Sequence, residues 1–369
     1  MSKHNPSNER IKHKYFIWLR EAKRQSEASV DAAAAAISRF ESVTKCRDFA
    51  KFHVQQVIAF KARLAAQTNA KTGEPLSKST LNTVLAHLQR FFLWLADQPG
   101  YRSKVRYADA EYFNLQAKEA RMAMATKPKK WPTIDQLKRT LSTMPAEDDI
   151  QKRNRAMFAF TMLTGARDNA IASLKLKHID LNEGSVFQDG REVRTKNSKT
   201  FTTFFVPVGP EARQVFEEWV RHLRDELLWG DDDPLFPKTR IVVNGSNRFE
   251  ANGLERAHWA NAGPIRKIFR AAFEYANLPY FKPHSFRDTL AKLGMSLCRS
   301  PEALKAWSQN LGHEDVLTTL TSYGALDLGR QQEIIVGLGR STEKVEGPLN
   351  SREVAMLELM RGEVVSAIR

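Results

Sequence analysis

The chain has 369 residues, 42% of them hydrophobic, and a formal net charge of +15. That length suffices for two packed domains, and the charge calls for a polyanionic partner, a demand shared by nucleic-acid, ribosomal and membrane-surface proteins. Its two cysteines, Cys46 and Cys298, lack a Cys-x-x-Cys pairing and so indicate neither a disulfide framework nor a zinc site; no run approaches the ~18 apolar residues of a membrane span. Residues 1–14 are polar, without an apolar signal segment, so a reducing, cytoplasmic setting with no membrane partner is expected.

The first third is the most basic part: residues 1–126 hold 21 Lys+Arg against 11 Asp+Glu, whereas residues 127–340 hold 32 against 26. Ile11, Tyr15, Trp18 and Ala22 recur at the spacing of one helix face, with Lys12, Lys14, Arg20, Lys23 and Arg24 on other faces. Asp31 precedes an alanine-rich helix that runs to Phe40, and Phe49 to Ala66 forms a third candidate. Thr72-Gly73-Glu74-Pro75 marks a turn. Ser79 is positioned to cap a fourth helix with Leu81, Leu85, Leu88, Phe92 and Leu95 on its apolar stripe, which Gln98-Pro99-Gly100 ends. The basic segment Tyr101 to Arg106 follows, and then a linker, Lys127-Pro128-Lys129-Lys130-Trp131-Pro132, whose prolines favour an extended crossing between domains.

Thr133 and Asp135 open the next helix, and the apolar helix from Asn154 to Leu163 delivers Thr164-Gly165-Ala166-Arg167, a cation just after a glycine turn. A helix is expected from Asp168 to Leu176. Ser185–Phe187, Glu192–Thr195 and Thr202–Val208 read as short strands, with Lys196 and Lys199 in the last turn between them. A long amphipathic helix spans Glu211 to Trp229, Asp231-Asp232-Asp233 reads as a solvated turn rather than a metal site, and 238–263 reads as a polar loop carrying Arg240, Arg248 and Arg256.

The most informative stretch is 283–323. Pro283 suits the first turn of a helix, so His284 and Arg287, three residues apart, can face one ligand: a proton-transfer group beside a planar fork of donors for phosphate oxygens. Ser300-Pro301 opens another helix, Gly312 ends it, and His313 sits at its boundary with Tyr323 about three turns on. With Arg167, two arginines can neutralise one phosphate.

This ordered set resembles the tyrosine recombinase (phage integrase) family: an arginine after a Thr-Gly turn, a hairpin lysine, His-x-x-Arg, Leu-Gly-His and a tyrosine, here over residues 163–323. The resemblance implies a catalytic set of Arg167, Lys196, His284, Arg287, His313 and Tyr323, with Lys196 matching the hairpin motif better than Lys199. It implies a mainly α fold with a small β-sheet (α+β): a helical core-binding (SAM-like) DNA-binding domain at 1–126, a mixed α/β catalytic domain at 127–340, and a tail at 341–369 with a short helix from Asn350. The implied activity is site-specific recombination or integration of double-stranded DNA through a 3′-phosphotyrosyl link at Tyr323. Neither metal, cofactor nor ATP is implied. The implied partners are a homotetramer on two duplexes and accessory DNA-bending proteins. A catalytically silent DNA-binding protein of the same fold, or a type IB topoisomerase, are the alternatives. Three positions depart from the family pattern. Ala170 stands where a glutamate is usual, so a carboxylate that would orient Arg167 is missing or supplied by Asp168. Asp288 stands where histidine is common. The separation from His313 to Tyr323 is one residue longer than the common spacing.

Overall fold

The computed structural model describes residues 4–69, 72–124, 130–313 and residue 332. The chain packs as two units, Met1–Lys127 and Pro128–Arg369, each with its own core.

The first unit is helical. α1 (Pro6–Ile17) runs on through one π turn, Trp18–Ala22, and is followed by α2 (Glu27–Thr44), a 3-10 turn at Phe49–Lys51, α3 (Val54–Ala65), α4 (Lys78–Ala96), a second 3-10 segment at Tyr107–Phe113, and α5 (Ala117–Met124). The caps explain where these helices begin. Ser26 accepts from the Ser29 amide, so α2 starts four residues ahead of Asp31, and Ser77 rather than Ser79 caps α4 by accepting from Thr80. The stretch expected as one helix from Phe49 breaks at Phe52–His53, because His53 and Gln56 form a capping box that starts α3 afresh. Phe92 and Phe113 stack and Phe40 meets both edge-on, all with ring centroids within 6 Å at the centre, burying the stripes read from the sequence. The buried Asn8 ties α1 to α2 by donating to Glu41 at 2.9 Å and to the Arg47 carbonyl at 3.1 Å.

The second unit comprises α6 (Ile134–Thr143), α7 (Asp149–Thr164), α8 (Asp168–Ile171), β1 (Ile179–Asp180), β2 (Ser185–Gln188), β3 (Phe201–Phe204), α9 (Pro210–Arg221), β4 (Lys238–Val243), β5 (Phe249–Glu255), α10 (Gly263–Tyr275), α11 (Ser285–Leu297) and α12 (Pro301–Asn310). Residues 156–164 of α7 are all buried, as expected of a helix apolar on every side, and α7 is the axis of the domain. Phe158 meets Phe269 and Phe286, and Phe160 meets Phe216 and Phe236, so one helix organises α9, α10 and α11. β1, β2 and β3 form an antiparallel meander, with Val186 opposite Thr203 and Ser185 opposite Phe204.

Four expectations are corrected here. Glu192–Thr195 is not a strand: Val193 and Thr195 close turns onto Asp189 and Val193, and Arg194 spends its guanidinium on the carbonyls of Ala172, Trp259 and Ala260. The helix from Asp168 stops at Ile171, where the chain turns into the 3-10 segment Leu176–His178. The α9 pattern continues past Arg221 only as a π turn, His222–Glu226. The polar loop at 238–263 contains the β4–β5 hairpin, anchored at its base by buried Arg153, which donates to the Pro237 carbonyl and to Thr239 and lies over the Trp259 ring. Desolvation pushes that guanidinium's pKa down to about 10.

Asp232 pairs with Lys175 and Lys177, and Asp233 with Arg256, so the acid run serves ion pairs. Among the described residues no helix is long and apolar enough to cross a membrane, and no group of three potential ligands could hold a metal ion. Linker residues 127–129 and the expected tail helix from Asn350 lie outside the described residues. Trp131 and Pro132 lie against α11, with Lys292 over the Trp131 ring and Thr289 donating to the Pro132 carbonyl.

Candidate active site

Arg287 is the hub of the site. It lies one turn into α11 and is only 2% exposed. A guanidinium is tolerated in such a place only when carbonyls or carboxylates meet its donors. Two helix ends supply them here: Nη1 donates to the Gly165 carbonyl at 2.9 Å, where α7 ends, and Nη2 donates to the Leu311 carbonyl, where α12 ends. Carbonyls at helix C-termini lack intrahelical partners and carry partial negative charge, so a buried cation satisfies both needs at once. Gly165 has φ +59, and a Cβ there would come within 3.1 Å of Leu290 and 3.3 Å of the Arg287 stem. The Thr-Gly turn is therefore both a helix stop and a seat for Arg287.

The Leu-Gly-His motif has an equally local explanation. α12 closes with a Schellman motif: the Gly312 amide donates to the Gln309 carbonyl at 2.7 Å, the His313 amide donates to the Ser308 carbonyl at 3.2 Å, and Gly312 takes φ +68. This fixes the backbone of His313 and sets its ring beside Arg287, with Nε2 3.0 Å from Nη2. Arginine can only donate, so Nε2 accepts, and in the neutral ring the proton must sit on Nδ1. Burial, then the positive charges of Arg287, Arg167 and Lys199 and the neighbouring His284, push the His313 pKa down to about 4. Near neutral pH His313 is therefore an uncharged ring that carries its proton on Nδ1, where it can donate, and is a weak base.

Arg167 follows the α7 stop in extended conformation and, with the exposed His284, lines a cleft of about 600 Å³. Arg266, Lys267 and Arg270 of α10 and Lys282 line the same cleft, which gives it a strongly cationic wall. Asp168 pairs with Arg266 at 2.7 Å, so its carboxylate holds the α10 wall. Ala170 is buried in the core where the family pattern has an acid, and Asp288 is buried beside Arg287 on α11.

The two hairpin lysines separate. Lys196 lies in a one-turn 3-10 segment whose Asn197 and Ser198 have positive φ, and its side chain is exposed. Lys199 is half-buried, lines a cleft of about 650 Å³ with His313, and its charge acts on that histidine. Lys199 is thus the hairpin lysine that shares a cleft with His313, whereas the motif match favours Lys196. Arg167, His284, Arg287 and His313, distant in sequence, are gathered around the ends of α7, α11 and α12, whereas Tyr323 lies outside the described residues. Sequence reasoning did not single out the α10 cations or Asn310. The first could have been found from the Arg-Lys-x-x-Arg spacing on an amphipathic helix, but nothing local marks the second.

Comparison with known proteins finds relatives in sequence and in fold. The Phage integrase family matches residues 130–329. A tyrosine recombinase XerC of Halalkalibacterium halodurans is 26% identical over 52% of this chain and 57% of its own length, so the match spans little more than half of that relative. A second XerC, from Lactobacillus delbrueckii subsp. bulgaricus, is 26% identical over 67% of this chain and 72% of its own length. Among solved structures, a lambda integrase (75-356) dimer bound to a COC′ core site superposes with TM-score 0.58 at 13% identity, covering 87% of this chain and 96% of that one. The XerH recombinase bound to difH gives TM-score 0.53 at 16% identity, covering 88% and 83%. The Thr-Gly-Ala-Arg turn, the His-x-x-Arg helix and the Leu-Gly-His cap thus meet at one arginine inside the matched segment, and the chain belongs to the phage integrase family, the tyrosine recombinases.

Proposed function

We propose that this protein cleaves and rejoins double-stranded DNA at specific sites through a covalent 3′-phosphotyrosyl intermediate on Tyr323. The observation that carries the reading is the Arg287 junction, which ties the turn before Arg167 to the cap that bears His313, beside a cationic cleft. Phosphoryl transfer requires mainly positioning and neutralisation of the charge that grows on the non-bridging oxygens. In the proposed reaction Arg167 and Arg287 neutralise that charge and His313 donates to an oxygen through Nδ1. The Tyr323 oxygen attacks phosphorus, its proton passes to His284, and the bond from phosphorus to O5′ breaks. Lys199 protonates the departing O5′. The phosphotyrosyl bond retains the energy of the phosphodiester, so a new 5′-hydroxyl can reverse the step without ATP.

DNA-bound relatives of the same fold support duplex DNA as the partner. The proposal extends to a homotetramer on two duplexes, to accessory DNA-bending proteins, and to the domain division at 126/127 and 340/341. A plasmid assay with two copies of the DNA that flanks the gene tests it. Recombinant circles from the unmodified protein and none from Tyr323→Phe are expected. Relaxed circles without exchange would instead indicate topoisomerase behaviour.

A further inference from the structure

Among the described residues β3 is an edge strand of its sheet, so the outward amide and carbonyl of Phe204 need partners that no described strand provides. Asn310, the last residue of α12, supplies both: its Oδ1 accepts from the Phe204 amide at 2.6 Å and its Nδ2 donates to the Phe204 carbonyl at 2.9 Å. One carboxamide thus imitates a neighbouring strand. The attachment is reinforced through the main chain, because the Thr203 hydroxyl donates to the Asn310 carbonyl at 3.1 Å and is itself held by Gln188 at 3.1 Å. Asn310 stands at the first position inside the Schellman cap that sets the backbone of His313, and the strand it grips begins two residues after Lys199. The cleft between α12 and β3 has Asn310, His313 and Lys199 on its walls.

We infer that Asn310 is a positioning residue for the transesterification: by pairing with Phe204 it fixes the end of α12 on the edge of β3 and so holds His313 at a set place opposite Lys199. An asparagine is suited to this task, since it alone among small side chains offers an acceptor and a donor in the spacing of a peptide group. The helix end has a second hold, the close contact of Gly312 with the Phe201 ring, so loss of the carboxamide loosens the cap without detaching α12.

The inference rests on the recombinase reading, and its test separates the two. The assay is single-turnover formation of covalent complex on a nicked duplex of the flanking DNA at saturating protein, alongside binding affinity and melting temperature. Asn310→Ala and the isosteric Asn310→Asp, which loses the donor to the Phe204 carbonyl, are expected to cleave about 10- to 100-fold more slowly, with binding within about two-fold of normal. In the double variant Asn310→Ala/His313→Ala the rate should fall no more than about two-fold below that of His313→Ala alone, because one residue acts through the other. Cleavage by both Asn310 variants at the normal rate, losses that multiply with that of His313→Ala, or a loss of binding as large as the loss of rate would each overturn the positioning role. Absence of covalent product from the unmodified protein would overturn the recombinase reading and this inference together.

Discussion

At the scale of the residue, His313 separates a donor from a base. A pKa of about 4, set by burial and by cations on several sides, keeps the ring neutral through the physiological range. Because the folded-state pKa lies below the ordinary value near ~6.5, protonation opposes the native arrangement: its contribution to stability is complete above that value and is lost as pH falls from there towards 4. An NMR titration of the imidazole should find its midpoint near 4 in the native protein and higher in Arg287→Ala, which removes the second of the causes, yet still below the ordinary value because burial, the largest cause, remains. A native midpoint above 6 would contradict the neutral-donor role. The lysines provide a second residue-level prediction. A 5′-phosphorothiolate leaving group needs no proton, so it should restore cleavage by Lys199→Ala to within about ten-fold of normal, whereas Lys196→Ala on ordinary DNA should lose less than about ten-fold. Rescue confined to Lys196→Ala would return the acid role to that residue.

At the scale of the element, the helix ends determine the site. The Schellman cap of α12 requires φ +68 at Gly312, and a Cβ there would stand 2.7 Å from the Phe201 ring. Gly312→Ala should therefore cost about 1–3 kcal/mol, from left-handed strain together with displacement of the ring, and lower the melting temperature by several degrees. A change below about 0.5 kcal/mol would mean that the cap is not what holds His313. Such caps were legible in the sequence because Gly165, Gly312 and the Ser300-Pro301 start are local signals, as were the apolar stripes of α4 and α7. The β4–β5 hairpin was not, because its exposed Ile241, Val243 and Phe249 blur the alternation of a half-buried strand. Glu192–Thr195 misled in the opposite direction: its β-branched composition suits a strand, but the backbone bonds into turns that depend on Asp189 and Arg194, partners that local pattern does not reveal. The pairing of Asn310 with a strand 106 residues away has no local signature at all.

At the scale of the whole molecule, the sequence pointed to the family before the architecture, since an ordered set of cationic and proton-transfer groups is more specific than any helical bundle. The fold then accounts for how residues from 167 to 313 meet: α7 and α12 end at the same guanidinium, and the helix that carries it starts beside His284. What the account adds is a nucleophile, Tyr323, that must reach a phosphate held by these groups. The most direct measurement is to trap the protein on a nicked duplex of its flanking DNA, digest the complex and locate the nucleotide adduct by mass spectrometry. The account predicts a 3′-phosphonucleotide on the peptide containing Tyr323, absent from Tyr323→Phe and reduced at least about a hundred-fold in Arg287→Lys, whose ammonium cannot reproduce the two-carbonyl fork. An adduct on another residue, or an undiminished one in Tyr323→Phe, would contradict it.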